Sequence, residues 1–203
     1  MAKAAEGECA AMIAGHFGFA AMVKGREPAT PLWTLMLATV WLDIVFIPLY
    51  MMGIETIHSA PGARLGYGTG TIYADYTHSL VGAVVLSILL GAAGGLFWGR
   101  RSAIVIGLVS FSHWMLDLVV HRGDMPILPA NYGNLPRLGF GLWRYPAVSA
   151  ALELVLVLLG AWMYWLAART ATAQANRGRR LAVLIACLIA ASGIWVLGLD
   201  LES

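Results

Sequence analysis

An all-α, polytopic membrane helix bundle is the fold this sequence predicts, with about five transmembrane helices and a short apolar helix ahead of them. Three observations carry that reading. Of the 203 residues, 60% are hydrophobic and 12% are charged, against about 25% charged in soluble domains, so there is too little charge to coat a globule. Five stretches reach the roughly 20 apolar residues that a helix needs to cross a hydrocarbon core about 30 Å thick. Isolated His, Asp and Glu residues interrupt those stretches; such groups are costly in lipid and therefore face a bundle interior.

The elements follow in order. A short apolar stretch over about 9–23 is marginal as a span and reads as a tilted or interfacial helix. Spans are expected over about 31–53, 76–98, 102–121, 145–168 and 180–199, all within a single membrane domain covering 1–203. They must be helical, because lipid offers the backbone no hydrogen-bond partners. The Gly91-Ala92-Ala93-Gly94-Gly95 run allows close helix approach. The N-terminus lacks the basic region and cleavage site of a signal peptide, so the start Met is expected in the mature chain. Cys9 and Cys187 sit in apolar surroundings without metal-type or C-x-x-C spacing, and read as small fillers.

Charge orients the bundle. Lys24 and Arg26, the Arg100-Arg101 pair, and Arg169, Arg177, Arg179 and Arg180 mark cytoplasmic ends by the positive-inside rule. Loops 54–75 and 122–144, rich in Gly and Pro, then face outward and are long enough to fold over a site. The net charge of +2, with no basic stripe, excludes a nucleic-acid partner.

The ionisable residues converge. At 1.5 Å rise per residue, Asp43 lies roughly 18 Å from the cytoplasmic face, His113 and Asp117 roughly 17 and 22 Å, Glu153 about 12 Å below the outer face, and His78 within a turn of it. His113, Asp117 and His121, four apart, form one polar stripe. His113 and Asp117 are about 6 Å apart along the axis, close enough to share one cation, whereas His121 is about 12 Å from His113. It could serve a second metal, an acid role or a head-group contact. Imidazole with carboxylate suits Zn, Mn or Fe, with Asp43, His16 or His78 as a third ligand and an open position for water. Blander roles are expected elsewhere: His58 solvated, Asp75 an N-cap of the second span, and Arg122 with Asp124 a surface turn pair.

Gly15-His16-Phe17, Leu42-Asp43-Ile44, Thr77-His78-Ser79 and Ser112-His113-Trp114-Met115-Leu116-Asp117 fall in the order of a known pattern. Over about residues 10–130 the chain resembles the membrane-bound metal-dependent hydrolase family, also described as LexA-binding, inner-membrane-associated hydrolases and distantly akin to zinc-dependent phospholipases C. The second acid of that family's P-D-I-D element is absent here. The resemblance implies His16, Asp43, His78, His113 and Asp117 as the metal and catalytic set, and a bacterial inner-membrane location.

The resulting expectation is a divalent metal, zinc by preference, on His113, Asp117, Asp43 and His16, with His78, Glu153 and His121 in acid–base roles. A metal-activated water would cleave a phosphoester or related bond of a lipid or amphiphile. The rival expectation is a non-enzymatic accessory or scaffold subunit with membrane-protein partners, its polar residues serving as interhelix clamps.

Overall fold

The computed structural model describes residues 13–59 and 70–171. The chain runs α1 (Ile13–Arg26), α2 (Leu32–Thr39), α3 (Trp41–Met51), a hairpin of β1 (Thr56–Ser59) and β2 (Gly70–Tyr73), α4 (Leu80–Val120) and α5 (Pro146–Ala171). The helical prediction holds for the bulk of these residues. The stretch expected as a fifth span, 180–199, lies outside the described residues, as do Cys9 and Cys187.

Two helices, α4 and α5, are long and apolar enough to cross a membrane, or three if α2 and α3 count as one bent span. About five spans are therefore not found in the described residues. Part of the difference lies at Gly99. Its φ of 81° and ψ of 174° break α4, a conformation that costs glycine little and other residues more. The Ser87 hydroxyl donates to Ser110 Oγ at 3.1 Å, yet 23 residues of straight helix would hold them about 35 Å apart. So α4 is folded back on itself, with residues 80–98 and 100–120 as adjacent antiparallel arms. The small residues anticipated from sequence lie in the seam: a Cβ on Gly91 would meet the Ala103 carbonyl oxygen at 2.7 Å.

The stretch expected as one helix over 31–53 is two. Val40 (φ −116°, ψ 15°) separates α2 from α3, and the axes bend by 48°. Thr39 and Val40 are β-branched and resist helix, and the Thr39 hydroxyl donates to the His16 carbonyl at 3.2 Å. The outer loop at 54–75, expected to lack regular structure, contains an antiparallel ladder with Ile57 opposite Ile72 and His58 opposite Thr71.

Helix α1 packs into α5 through glycine. A Cβ on Gly18 would stand 2.5 Å from the Leu156 carbonyl oxygen, and one on Gly25 2.9 Å from that of Met163. The outward surface is apolar (Leu96, Phe97, Ile88, Leu89 and Leu108 are exposed), while Ser87, Ser102 and Ser110 are buried. Small and polar groups thus lie at helix contacts and large apolar ones outside, the distribution suited to lipid.

Candidate metal centre

Each site residue is placed by a local feature of the sequence. The break at Val40 puts Asp43 in the first turn of α3 and leaves the Thr39 carbonyl facing α4. His113 and Asp117 project from one face of the second α4 arm. His78 precedes the first arm, where Ser79 is the N-cap, accepting from the Gly82 amide at 3.0 Å. The amides of Leu80 and Val81 donate to the carbonyls of Pro126 and Ile127, so the second outer loop covers that helix end. The Trp114 indole donates to the His78 carbonyl at 2.8 Å. His78 is thereby held from two sides although it lies in no helix.

Four donor atoms from three segments converge. His78 Nε2 and His113 Nε2 are 3.2 Å apart. His78 Nε2 lies 3.5 Å from both Asp43 Oδ1 and Asp117 Oδ2. His113 Nε2 lies 3.5 Å from Asp43 Oδ1 and 3.1 Å from Asp117 Oδ2. Four ligands placed tetrahedrally at the 2.0–2.1 Å typical of zinc with N and O donors would be about 3.3–3.4 Å from one another. The observed separations bracket that value.

The hydrogen bonds behind the imidazoles fix their tautomers. His113 Nδ1 lies 2.7 Å from the Thr39 carbonyl, to which only an N–H can bond. Thr77 Oγ1 lies 2.9 Å from both His78 Nδ1 and Glu55 Oε2. Its single proton goes to the carboxylate, so it accepts from the His78 Nδ1–H. Both Nε2 atoms therefore present lone pairs to each other and to two carboxylates. Such a set is repulsive unless a positive charge sits among them. A carbonyl and a carboxylate-backed hydroxyl behind the rings is also the support that metal-bound histidines usually have. Asp43 Oδ2 is buried without a hydrogen-bond partner, a further acceptor left for a cation or water. The residues present fit a divalent metal.

His16 stands beside this set. Its Nε2 is 3.1 Å from Asp117 Oδ1, and its ring stacks on His113 with centroids 4.1 Å apart. Asp117 thus turns one oxygen to His16 and the other to His78 and His113. His16, His113 and Asp117 also form a group compact enough for a metal, but only the set with Asp43 and His78 offers four convergent donors. The geometry consequently exchanges two expected roles: His78 joins the ligand set, and His16 orients Asp117.

The remaining candidates divide. His121 Nε2 is 3.9 Å from Asp117 Oδ2, and its Nδ1 pairs with Asp124 Oδ1 at 2.7 Å. Asp124 is buried rather than part of a surface turn with Arg122. Burial by itself would raise its carboxyl, but the His121 hydrogen bond and charge, with the Ile72 amide, hold it below the usual range. Glu153 is fully buried away from the cluster, accepting from the Gly15 amide at 3.2 Å; it joins α5 to α1 and does not line the cavity. Asp75 is no N-cap: it pairs with Arg137 at 2.7 Å. Glu55, which receives the Tyr76 and Thr77 amides and the Thr77 hydroxyl, was not legible as a site residue, because nothing distinguishes a lone loop acid until its burial is seen.

A cavity of about 200 Å³ opens over the cluster, bounded by Asp43, His78, His113, Asp117 and His121 on one side. Ile13, Phe46, Ile47, Ile57, Ile72 and Trp143 form its other walls. A polar floor under apolar walls can hold a cation and water against an amphiphile. No family model matches this sequence, and neither a characterised protein nor a solved structure matches it.

Proposed function

We propose that this chain is a membrane-embedded, metal-dependent hydrolase acting on an amphiphile, with zinc as the metal. The observation that carries the proposal is the set of four donors, His78 Nε2, His113 Nε2, Asp43 Oδ1 and Asp117 Oδ2, held 3.1–3.5 Å apart with both imidazole lone pairs directed inward. Nitrogen with carboxylate oxygen at this spacing suits zinc better than magnesium or calcium. His78, His113 and Asp117 are buried, whereas the Asp43 side chain is 29% exposed to the cavity. Asp43 is accordingly the ligand placed to yield an open position. The bound cation would supply Lewis acidity and lower the pKa of water.

The chain's own groups supply the rest. His121 Nε2 faces the cavity with Nδ1 braced by Asp124, an arrangement for accepting and returning a proton. His16 holds Asp117, and Thr77 with Glu55 holds His78. The apolar walls exclude bulk water and receive the substrate's chain.

Membrane placement with each α4 arm as its own crossing is part of the proposal. The arms of 19 and 21 residues span about 28 and 31 Å. Lys24, Arg26, Arg100, Arg101 and Arg169 gather at the end opposite the metal cluster, with Arg101 bonded to Glu27. The positive-inside rule then puts the cluster at the outer side of an inner membrane, in keeping with the family resemblance of the motifs.

A second reading rests on the same donors. Four protein ligands are the number found in closed, structural zinc sites, and a metal clip joining α3, α4 and the outer loop would suit a scaffold subunit. The test is zinc uptake and amphiphile hydrolysis by purified protein in vesicles, for wild type and His113→Ala. The hydrolase reading expects both in wild type and neither in the variant. Uptake without hydrolysis would leave the structural clip, and no uptake would remove both.

A further inference from the structure

We propose that the bond cleaved is a carboxylic ester or amide at the chain–headgroup junction of a single-chain amphiphile, which enters sideways between α1 and α3. The inference rests on the hydrolase reading and goes beyond it in naming bond and route. The phosphoester expected from sequence is set aside for the reasons that follow.

The route is read from exposure. Ile13 on α1 and Ile47 on α3 line the cavity, yet they are 36% and 54% exposed. They therefore form its rim, on the apolar outer surface. The opposite wall is closed by the hairpin, where Ile57 and Ile72 pair across the ladder and face the ligands. Strand alternation turns Thr56, His58 and Tyr73 to the other face, where they line a separate polar recess. The apolar side of the cavity is thus continuous with the lipid-facing surface.

The bond is read from charge and depth. Two aspartates with one divalent ion are neutral in sum, and the cavity lining contains, among the described residues, no lysine or arginine. The neighbouring Arg137 is committed to Asp75 and the Asp124 carbonyl. Phosphoryl transfer depends on cationic clamps for its charge, whereas a neutral carbonyl needs one Lewis acid and a proton carrier. A cavity near 200 Å³ is about seven times the ~30 Å³ share of a liquid water, room for the end of one chain. Apolar wall meets polar floor directly, so a carbonyl bonded to the chain reaches the donors while the chain stays in the apolar rim; a lipid phosphate lies several bonds further out.

The reaction balances as hydrolysis. Water's oxygen bonds to the carbonyl carbon, its proton passes to His121 Nε2, the bond from carbon to the leaving oxygen or nitrogen breaks, and that atom takes the proton. The products are an acid and an alcohol or amine.

The experiment uses the zinc-loaded full chain in zwitterionic vesicles, with p-nitrophenyl octanoate, p-nitrophenyl acetate and bis-p-nitrophenyl phosphate as probes, and His113→Ala as background. Octanoate turnover above background is expected. Ile47→Trp, which fills the rim without touching a ligand, should lower kcat/KM at least tenfold for octanoate, less than twofold for acetate, and leave zinc content unchanged. Phosphodiester cleavage without ester cleavage would overturn the bond assignment and leave the hydrolase reading standing. Equal loss on both esters, or none, would overturn the lateral route. Bound zinc with no probe cleaved would sink both readings.

Discussion

Thr77→Val isolates the support behind one ligand. The substitution keeps shape and removes one oxygen, the atom that accepts from His78 Nδ1 and donates to Glu55. Glu55 keeps the Tyr76 and Thr77 amides, both at 2.8 Å, so the loop stays tied. The metal-free protein loses a hydrogen bond to a charged group, about 1.5–3 kcal/mol. Metal affinity falls further, because His78 loses its fixed tautomer; losses of about 10–100-fold are typical of such partners. At zinc equal to 100 times the wild-type Kd, metal stabilises wild type by about 2.7 kcal/mol. The same concentration stabilises the variant by about 0.4–1.4 kcal/mol. For a chain of this size that corresponds to a zinc-induced rise in Tm of roughly 5–10 °C in wild type and 1–5 °C in the variant. Thermal unfolding of each protein with and without zinc reads the difference directly. Equal zinc-induced shifts, whatever the metal-free transitions, would refute the claim that Thr77 orients a ligand.

Three further outcomes follow from the same geometry. His121→Gln should retain zinc and lose about 10²–10⁴-fold in hydrolysis, read as the rate per bound metal; unchanged rate would remove His121 from the reaction. Gly18→Ala places a methyl 2.5 Å from the Leu156 carbonyl oxygen, so α1 must move off α5 at a cost of about 1–3 kcal/mol, seen as a lowered Tm. Asp124, whose folded pKa is depressed, contributes stability that is present above its unfolded value near 4 and lost as pH falls through the lower folded value. The stability gap between wild type and Asp124→Asn should be constant near neutral pH and shrink below about pH 4; a gap that grows on acidification would contradict the sign.

Much of the site was legible because periodicity makes it so. His113 and Asp117 share a face at any helix rotation, and Asp43 stood out as a charge in an apolar run. What decided between His16 and His78 was not periodic. His78 lies outside a helix and is aimed by Trp114, Thr77 and Glu55, three contacts across long sequence separations. His16 is turned aside because Gly18 and Gly25 let α1 settle against α5, setting its rotation. Hydropathy marked where apolar chain lies but not where it bends, so the break at Val40 escaped notice. The hairpin was hidden in a loop because two four-residue strands give too short an alternation to register, although Thr-Ile-His-Ser and Gly-Thr-Ile-Tyr carry β-branched residues at the paired positions. Asp124 and Glu55 look like ordinary loop acids until their buried partners are known.

X-ray absorption at the zinc edge of the metal-loaded protein tests the central claim most directly. A single shell of about four N/O ligands at 2.0–2.1 Å, with outer scattering from two imidazoles and half of that imidazole signal lost in His78→Ala, is the result this geometry requires. A six-oxygen hydration shell, a one-imidazole site, or a spectrum unmoved by His78→Ala would contradict it.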